Sequence, residues 1–157
     1  MADRSYEHEV GVPAPDFTLK DQEGKDIKLS DQKGKRVLLS FHPLAWTGVC
    51  TDQMQAIEDN YEIFESLNTL PLGMSCDPVP SKRAWTKYHN WKKIRLPSDF
   101  WPHGEVSSLY KIFRQKDGFS ERANIIVDEK GIITFFKTYP LSHLPEIDEI
   151  IDILKKM

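Results

Sequence analysis

The sequence predicts an α/β domain, with a central mixed sheet, helices on both faces and an N-terminal β-hairpin laid against it. Three observations carry that expectation. The run Arg36-Val37-Leu38-Leu39-Ser40-Phe41 is short, continuous and apolar, as expected for a strand buried on both faces of a sheet. Beyond it, Met54, Ile57, Tyr61, Phe64 and Leu67 recur at helical spacing, and Leu70 to Cys76 is a second apolar run that completes a strand, helix, strand unit. Two further apolar runs flank Asp128-Glu129-Lys130-Gly131 in the pattern of an antiparallel hairpin. A chain of 157 residues with a formal charge of -3 buries one proper core with room for little else, so residues 1–157 are read as a single domain.

Met1 to Val10 is polar and lacks a charged-then-apolar leader, and no apolar run approaches the roughly 20 residues of a membrane span, so a cytoplasmic protein is expected. Gly11 to Leu19 is an extended lead-in; with the turn Gln22-Glu23-Gly24-Lys25 and a short segment around Ile27 it reads as the small hairpin. Asp31 to Lys35 is a charged loop into the central strand, which Pro43 ends. The first helix runs from Thr47 or Gly48 to about Leu67, with Asp52, Glu58, Asp59, Glu62 and Glu65 on its polar side. A crossover of this kind joins parallel strands with a right-handed turn.

Cys76 ends the second strand, residues 77–81 form a turn with Ser81 as N-cap, and Ala84, Trp85, Tyr88 and Trp91 give the apolar side of a second helix. Ile94-Arg95-Leu96 is a short strand candidate. In the loop 97–104, Phe100 and Trp101 are read as a rim packed on the core, a wall over the thiol pocket or part of a dimer contact. Val106, Leu109, Tyr110 and Phe113 indicate a short helix, and Lys116-Asp117-Gly118 a turn. The hairpin follows at 122–127 and 132–136. In the closing helix Ile147, Ile150, Ile151 and Leu154 face inward, with Pro145 in the first turn and Lys155-Lys156 at the end. This series fits the order of the thioredoxin-like fold, in which ligands sit at the carboxyl ends of parallel strands, where Cys50 lies.

The chemistry is concentrated in Pro43-x-x-x-Thr47-x-x-Cys50, where the central strand ends and a thiol falls in the first turn of a helix. Backbone amides at a helix start have no internal partners and carry about half a positive charge, which favours a thiolate. Thiols so placed titrate below the free value of about 8.5 and are nucleophilic near neutral pH. Position alone leaves open that Cys50 is a small buried apolar residue. Pro43 supplies a ring that can shield a thiolate from water, and Thr47 a hydroxyl three residues before the sulfur that also suits a helix N-cap. Two cysteines in the expected cytoplasmic compartment point to redox or catalytic use more than to a structural bridge. Thiol–disulfide reductases want Cys-x-x-Cys, and Thr47-Gly48-Val49-Cys50 has a hydroxyl in place of one sulfur. That favours a single nucleophile acting on something other than a disulfide.

Pro-x-x-x-Thr-x-x-Cys between a strand and a helix resembles the signature of the peroxiredoxins, and G-x-x-A-P-x-F-x-L in Gly11 to Leu19 resembles their N-terminus. The resemblance covers the chain from Gly11 to the final helix. It implies thiol-dependent reduction of hydrogen peroxide or organic hydroperoxides, with Cys50 as peroxidatic nucleophile passing through a sulfenic acid that a thiol removes. It also implies a role for Arg122, which opens the hairpin where these proteins resemble one another in carrying an arginine beside the sulfur. Taken alone, Arg122 is equally a surface residue beside Glu121. In the implied role its guanidinium holds the thiolate and, with Thr47 and the amides at Val49 and Cys50, hydrogen-bonds the peroxide oxygens.

Gln53, at a position where many members carry a glutamate, makes the chain similar to the bacterioferritin-comigratory and one-cysteine alkyl hydroperoxide reductase branches. Val49 and Gln53 are expected among the substrate-binding residues. A resolving cysteine often lies five residues after the first in such proteins; here that position is Gln55, and no C-terminal cysteine extension follows. Cys76 remains the candidate for internal resolution. The reading adopted is a one-cysteine mechanism in which thioredoxin, glutaredoxin or a low-molecular-weight thiol is the reductant, in a homodimer.

Other classes fit less well. A cysteine hydrolase needs a histidine partner, for which only His42 or His103 offers itself, without a motif. His8, His42, His89, His103 and His143 show no metal-ligand spacing with either cysteine, and neither metal nor cofactor is expected. There is no basic tract for nucleic acid. A non-enzymatic redox sensor would share every feature of the peroxidase except turnover.

Overall fold

In the computed structural model, which describes residues 4–5 and 10–157, the strands are β1 (Arg4–Ser5), β2 (Thr18–Lys20), β3 (Asp26–Lys28), β4 (Arg36–Phe41), β5 (Thr69–Met74), β6 (Phe113–Arg114), β7 (Phe119–Ser120), β8 (Arg122–Val127) and β9 (Ile133–Tyr139). The helices are α1 (Gly48–Asp59), α2 (Tyr61–Ser66), α3 (Val79–His89), α4 (Glu105–Leu109) and α5 (Ile147–Lys156). The leader reading of Met1 to Val10 and the reading of His8 fall on or across residues outside those described.

The sheet has the order β1-β9-β8-β4-β5, so the central strand β4 has a neighbour on each side. It runs parallel to β5, with Leu39 opposite Leu72 and Phe41 opposite Met74, and antiparallel to β8, with Ser40 opposite Asn124. Side chains alternate across it. Val37, Leu39 and Phe41 enter one core with Phe17, Ile27, Val106 and Tyr110, while Leu38 enters the other with Met54, Phe64, Trp85 and Ile150. The β2–β3 hairpin and α4 therefore cover one face, and α1, α2, α3 and α5 the other. A side chain at Gly73 in β5 would run into Met54 Sδ and Leu96 Cδ2, so a bare backbone there lets α1 lie close to the sheet.

Several elements differ from expectation, each for a local reason. The first helix breaks at Asn60, whose side-chain amide donates to the Ala56 carbonyl at 2.7 Å and competes with the backbone, so α2 starts afresh. The helix α3 begins before Ser81, because Pro80 is harmless in a first turn; the cap position belongs to Pro78. Lys82 and Thr86 accompany Trp85 on its buried side, whereas Ala84 and Tyr88 point outward. Ile94 to Leu96 makes only the isolated bridge Leu72–Arg95, since Pro97 has no N–H to extend it. Phe113 belongs to a small β6–β7 hairpin around the expected turn, not to α4. Pro145 precedes the cap residue Glu146 and lies outside α5.

Lys82 is fully buried, and its amine donates to the Gly73 carbonyl at 3.1 Å and to the Pro97 carbonyl. Burial pushes its pKa down to about 7, against the attraction of Asp77, Cys76 and Asp99. Two carbonyls match the two N–H bonds of a neutral amine. Between about pH 7 and 8.5 the unfolded chain holds a proton that the folded protein has released, so raising pH favours folding. Above that range burial of the Cys76 thiol, pushed up to about 11, opposes the trend. The thermal midpoint is expected to climb from pH 7 to 8.5 and to lose that slope in Lys82→Met; equal slopes in the two proteins would contradict the assignment.

Candidate active site

The chain leaves β4 at His42, turns through Pro43 to Trp46 and enters α1 with Thr47 at the cap position and Cys50 one turn in. Two devices hold the turn. Asp77 Oδ2, just beyond β5, accepts from the Ala45 N–H at 2.9 Å and from Ser75 Oγ at 2.7 Å. Trp46 takes the left-handed conformation, φ 73°, sparsely populated for a bulky residue; its indole donates to Ser81 Oγ and meets Tyr88 edge-on.

Thr47 occupies the cap position without capping. Its hydroxyl donates back to the Leu44 carbonyl at 2.7 Å, which leaves the oxygen's lone pairs facing outward. The first intrahelical bond runs from Thr51 N to Thr47 O, so the amides of Val49 and Cys50 precede the ladder. Cys50 itself is 1% exposed. Its sulfur stands at the foot of an open cavity of about 270 Å³ walled by Pro43, Leu44, Thr47, Val49, Phe119 and Leu141, with Arg122 beside it. Two larger hollows, of about 300 and 510 Å³, contain neither cysteine.

Arg122 opens β8 opposite Tyr139 and is buried. Its Nε and Nη2 donate to the Leu141 carbonyl at 3.2 and 2.7 Å, and its Nη1 donates to Gln53 Oε1 at 2.7 Å and to Cys50 Sγ at 3.4 Å. Two main-chain bonds and an amide thus aim one edge of the guanidinium at the sulfur. Gln53, expected to meet substrate, stands behind Arg122 and outside the cavity; Val49 lies in the wall as expected.

Cys76 lies two residues past β5, buried, and does not reach the cavity. Burial, with Asp99 beside it, pushes its thiol up to about 11, where little thiolate forms at neutral pH. Both cysteines are free. His42 is fully buried, packs on Trp85 and is held neutral by burial and by the charges of Lys82 and Arg122. Its ring does not line the cavity. Nor does His103, whose nitrogens meet the carbonyls of Phe100 and Gly118. The hydrolase reading therefore has no base. Phe100 and Trp101 are exposed away from the thiol, so neither walls its pocket. Among the described residues no group of three His, Cys, Asp or Glu side chains is disposed to hold a metal ion.

Phe119, Leu141, Asp77, Ser40 and Asn124 complete the site and were not anticipated. Leu141 acts through a backbone oxygen, which any residue carries, and Phe119 arrives on a hairpin that its sequence does not announce.

Comparison with known proteins follows the same residues. Residues 10–136 match the model of the AhpC/TSA family. Alkyl hydroperoxide reductase E of Mycobacterium tuberculosis (strain ATCC 25618 / H37Rv) is 40% identical over 127 residues, 80% of this chain and 82% of that protein. Peroxiredoxin 2 of Thermoplasma acidophilum is 35% identical over 151 residues, 94% of this chain and 75% of its own. The crystal structure of reduced Plasmodium vivax 2-Cys peroxiredoxin superposes with a TM-score of 0.86 at 28% identity, covering 94% of this chain and 80% of that one. With a thiol, a buried arginine and an open cavity joined at the carboxyl end of a thioredoxin-like sheet, the chain belongs to the AhpC/TSA family of peroxiredoxins.

Proposed function

We propose that the protein is a thiol-dependent peroxidase that reduces hydrogen peroxide and organic hydroperoxides through a sulfenic acid at Cys50, resolved by an external thiol. The observation that carries this reading is the contact of Arg122 Nη1 with Cys50 Sγ at the foot of an open, mainly apolar cavity. In this reading a peroxide enters between the sulfur and Thr47, which line the same cavity. The thiolate attacks the terminal oxygen, the O–O bond breaks, and the products are Cys50–SOH and an alkoxide or hydroxide that takes a proton from water. Thr47 Oγ1, its own hydrogen committed to Leu44, accepts the hydrogen of the attacked oxygen. The amides of Val49 and Cys50 and the Arg122 guanidinium donate along the line on which charge moves from sulfur to the leaving oxygen, so they bind the transition state best.

An incoming thiolate then attacks sulfenic sulfur, expels hydroxide and leaves a mixed disulfide, which a second thiol reduces. Thioredoxin, glutaredoxin or a small thiol can fill that role. The placement and high pKa of Cys76 support an external thiol over an internal one. The reading includes a homodimer, supported by the exposed Leu44, Trp46 and Tyr88; sedimentation as monomer alone at micromolar concentration would remove that part.

Cys50→Ser is expected to fold normally and consume no peroxide with dithiothreitol as reductant; retained turnover would refute the reading. Arg122→Ala should slow peroxide attack about 100-fold or more, as loss of a preorganised donor does, and Arg122→Lys should recover only part, because an ammonium cannot serve sulfur, Gln53 and Leu141 together. Thr47→Val should cost about tenfold in stopped-flow peroxide reduction while Thr47→Ser stays close to wild type. Wild-type kinetics in Thr47→Val would reduce the threonine to a loop residue.

A further inference from the structure

A row of aromatic rings that the peroxide chemistry leaves unused runs from the inside of the protein to its surface. Trp85, wholly buried, meets Trp91 edge-on with ring centroids 4.9 Å apart. The His89 ring stacks on Trp91 at 4.8 Å, with 18° between the planes, and meets Tyr88 at 5.0 Å; Tyr88 in turn meets Trp46 at 5.7 Å. Burial falls along the row, for Trp85 and Trp91 are 0 and 5% exposed, Trp46 48% and Tyr88 75%. Core packing accounts for the inner pair. It does not account for Tyr88, which keeps two ring contacts although they remove little of its surface from water.

What such a row can do is set by where protons can leave. An indole that gives up one electron becomes a radical cation, which relaxes by releasing its N–H proton to a base or to water. Trp85 Nε1 is buried and has no acceptor among the described residues. His42, packed on the same ring, is a poor base there, because burial and the charges of Lys82 and Arg122 hold it neutral. Trp91 Nε1 donates at 2.8 Å to Gln55 Oε1, an amide oxygen that does not take the proton. A hole on either indole therefore keeps its full oxidising strength. The Tyr88 phenol stands in water, which accepts its proton as the electron leaves, and a deprotonated phenoxyl is a weaker oxidant than an indole radical cation. The hole thus runs downhill from the core to Tyr88, with His89 bridging Trp91 and the phenol.

We propose that the row Trp85, Trp91, His89 and Tyr88, joined at the surface by Trp46, is an outlet for one-electron oxidation, which it draws from the core that Trp85 shares with Cys50 and delivers to the exposed phenol. A one-electron oxidant of the hydroxyl- or carbonate-radical class takes an electron from Trp85 or Trp91. An electron from Tyr88 refills that ring, and the phenol proton passes to water. A one-electron reductant such as ascorbate, with a proton from water, then restores the phenol. No bond to Cys50 forms or breaks, so this activity is separate from two-electron reduction of peroxide and stands or falls apart from it. A second copy seated over Tyr88 would change which reductant reaches it, not the transfer within one chain.

Laser photoionisation tests this, because the flash ejects an electron from buried and exposed indoles alike; under oxygen that electron ends as superoxide. The chain has four tryptophans, so a protein carrying Trp46→Phe and Trp101→Phe keeps only Trp85 and Trp91. In it the absorption of the indole radical is expected to give way to the phenoxyl band in a first-order step whose rate is independent of protein concentration. Adding Tyr88→Phe should remove that step and leave the indole radical long-lived, and adding His89→Leu should slow it. Decay without phenoxyl in the two-tryptophan protein overturns the proposal. So does conversion that survives Tyr88→Phe, or a rate that rises with protein concentration. If the two-tryptophan protein does not fold, the wild type decides: His89→Leu is expected to remove the component fed by Trp85 and Trp91 and leave the one fed by Trp46, and unchanged kinetics there would overturn the proposal.

Discussion

A cation buried beside a sulfur is the constraint on which the site depends. Arg122 is buried but for the edge it turns to the cavity, and the main-chain and amide oxygens around it are dipoles that satisfy its hydrogen bonds without cancelling its charge. The energy of hiding a guanidinium is high, and pairing with an ionised group recovers much of it. When that group is also the nucleophile, charge balance and reactivity become one requirement. The helix start adds to the same field, since the amides at Val49 and Cys50 precede the first intrahelical bond.

The sheet makes this possible by register. Ser40 faces Asn124, so the polar relay under the arginine sits between β4 and β8, and β8 begins with Arg122 itself. The strand β9 then carries the chain past Tyr139 to Leu141, whose carbonyl takes two of the guanidinium's bonds. Gly73 in β5 lets Met54 press close, which sets the depth of α1 and hence of Cys50. A slip of one residue in β8 would send Arg122 to the other face of the sheet.

Much of this was legible in the sequence where the signal was local. The apolar run 36–41 is β4 to the residue, the thiol falls in the first helical turn, and Arg122 reaches the sulfur. The rest was not legible, because it depends on what meets what in three dimensions. Gln53, expected among the substrate contacts from the family resemblance, turns inward, where Phe41 and Arg122 offer it both partners that an amide wants. Lys82 carries no mark of burial, and its inward turn follows from two carbonyls freed where Pro97 and the end of β5 leave them unpaired. Thr47 sits where a cap belongs but bonds backward to Leu44, a choice set by the left-handed turn at Trp46.

The central claim is that one ionised sulfur carries the chemistry and that its oxidised form waits for a thiol from outside. Intact-mass measurement after a single equivalent of peroxide tests it most directly. The account predicts a gain of one oxygen, trapped by dimedone on Cys50, that persists until an external thiol is added. Rapid loss of two hydrogens, with Cys50 linked to Cys76, would contradict it.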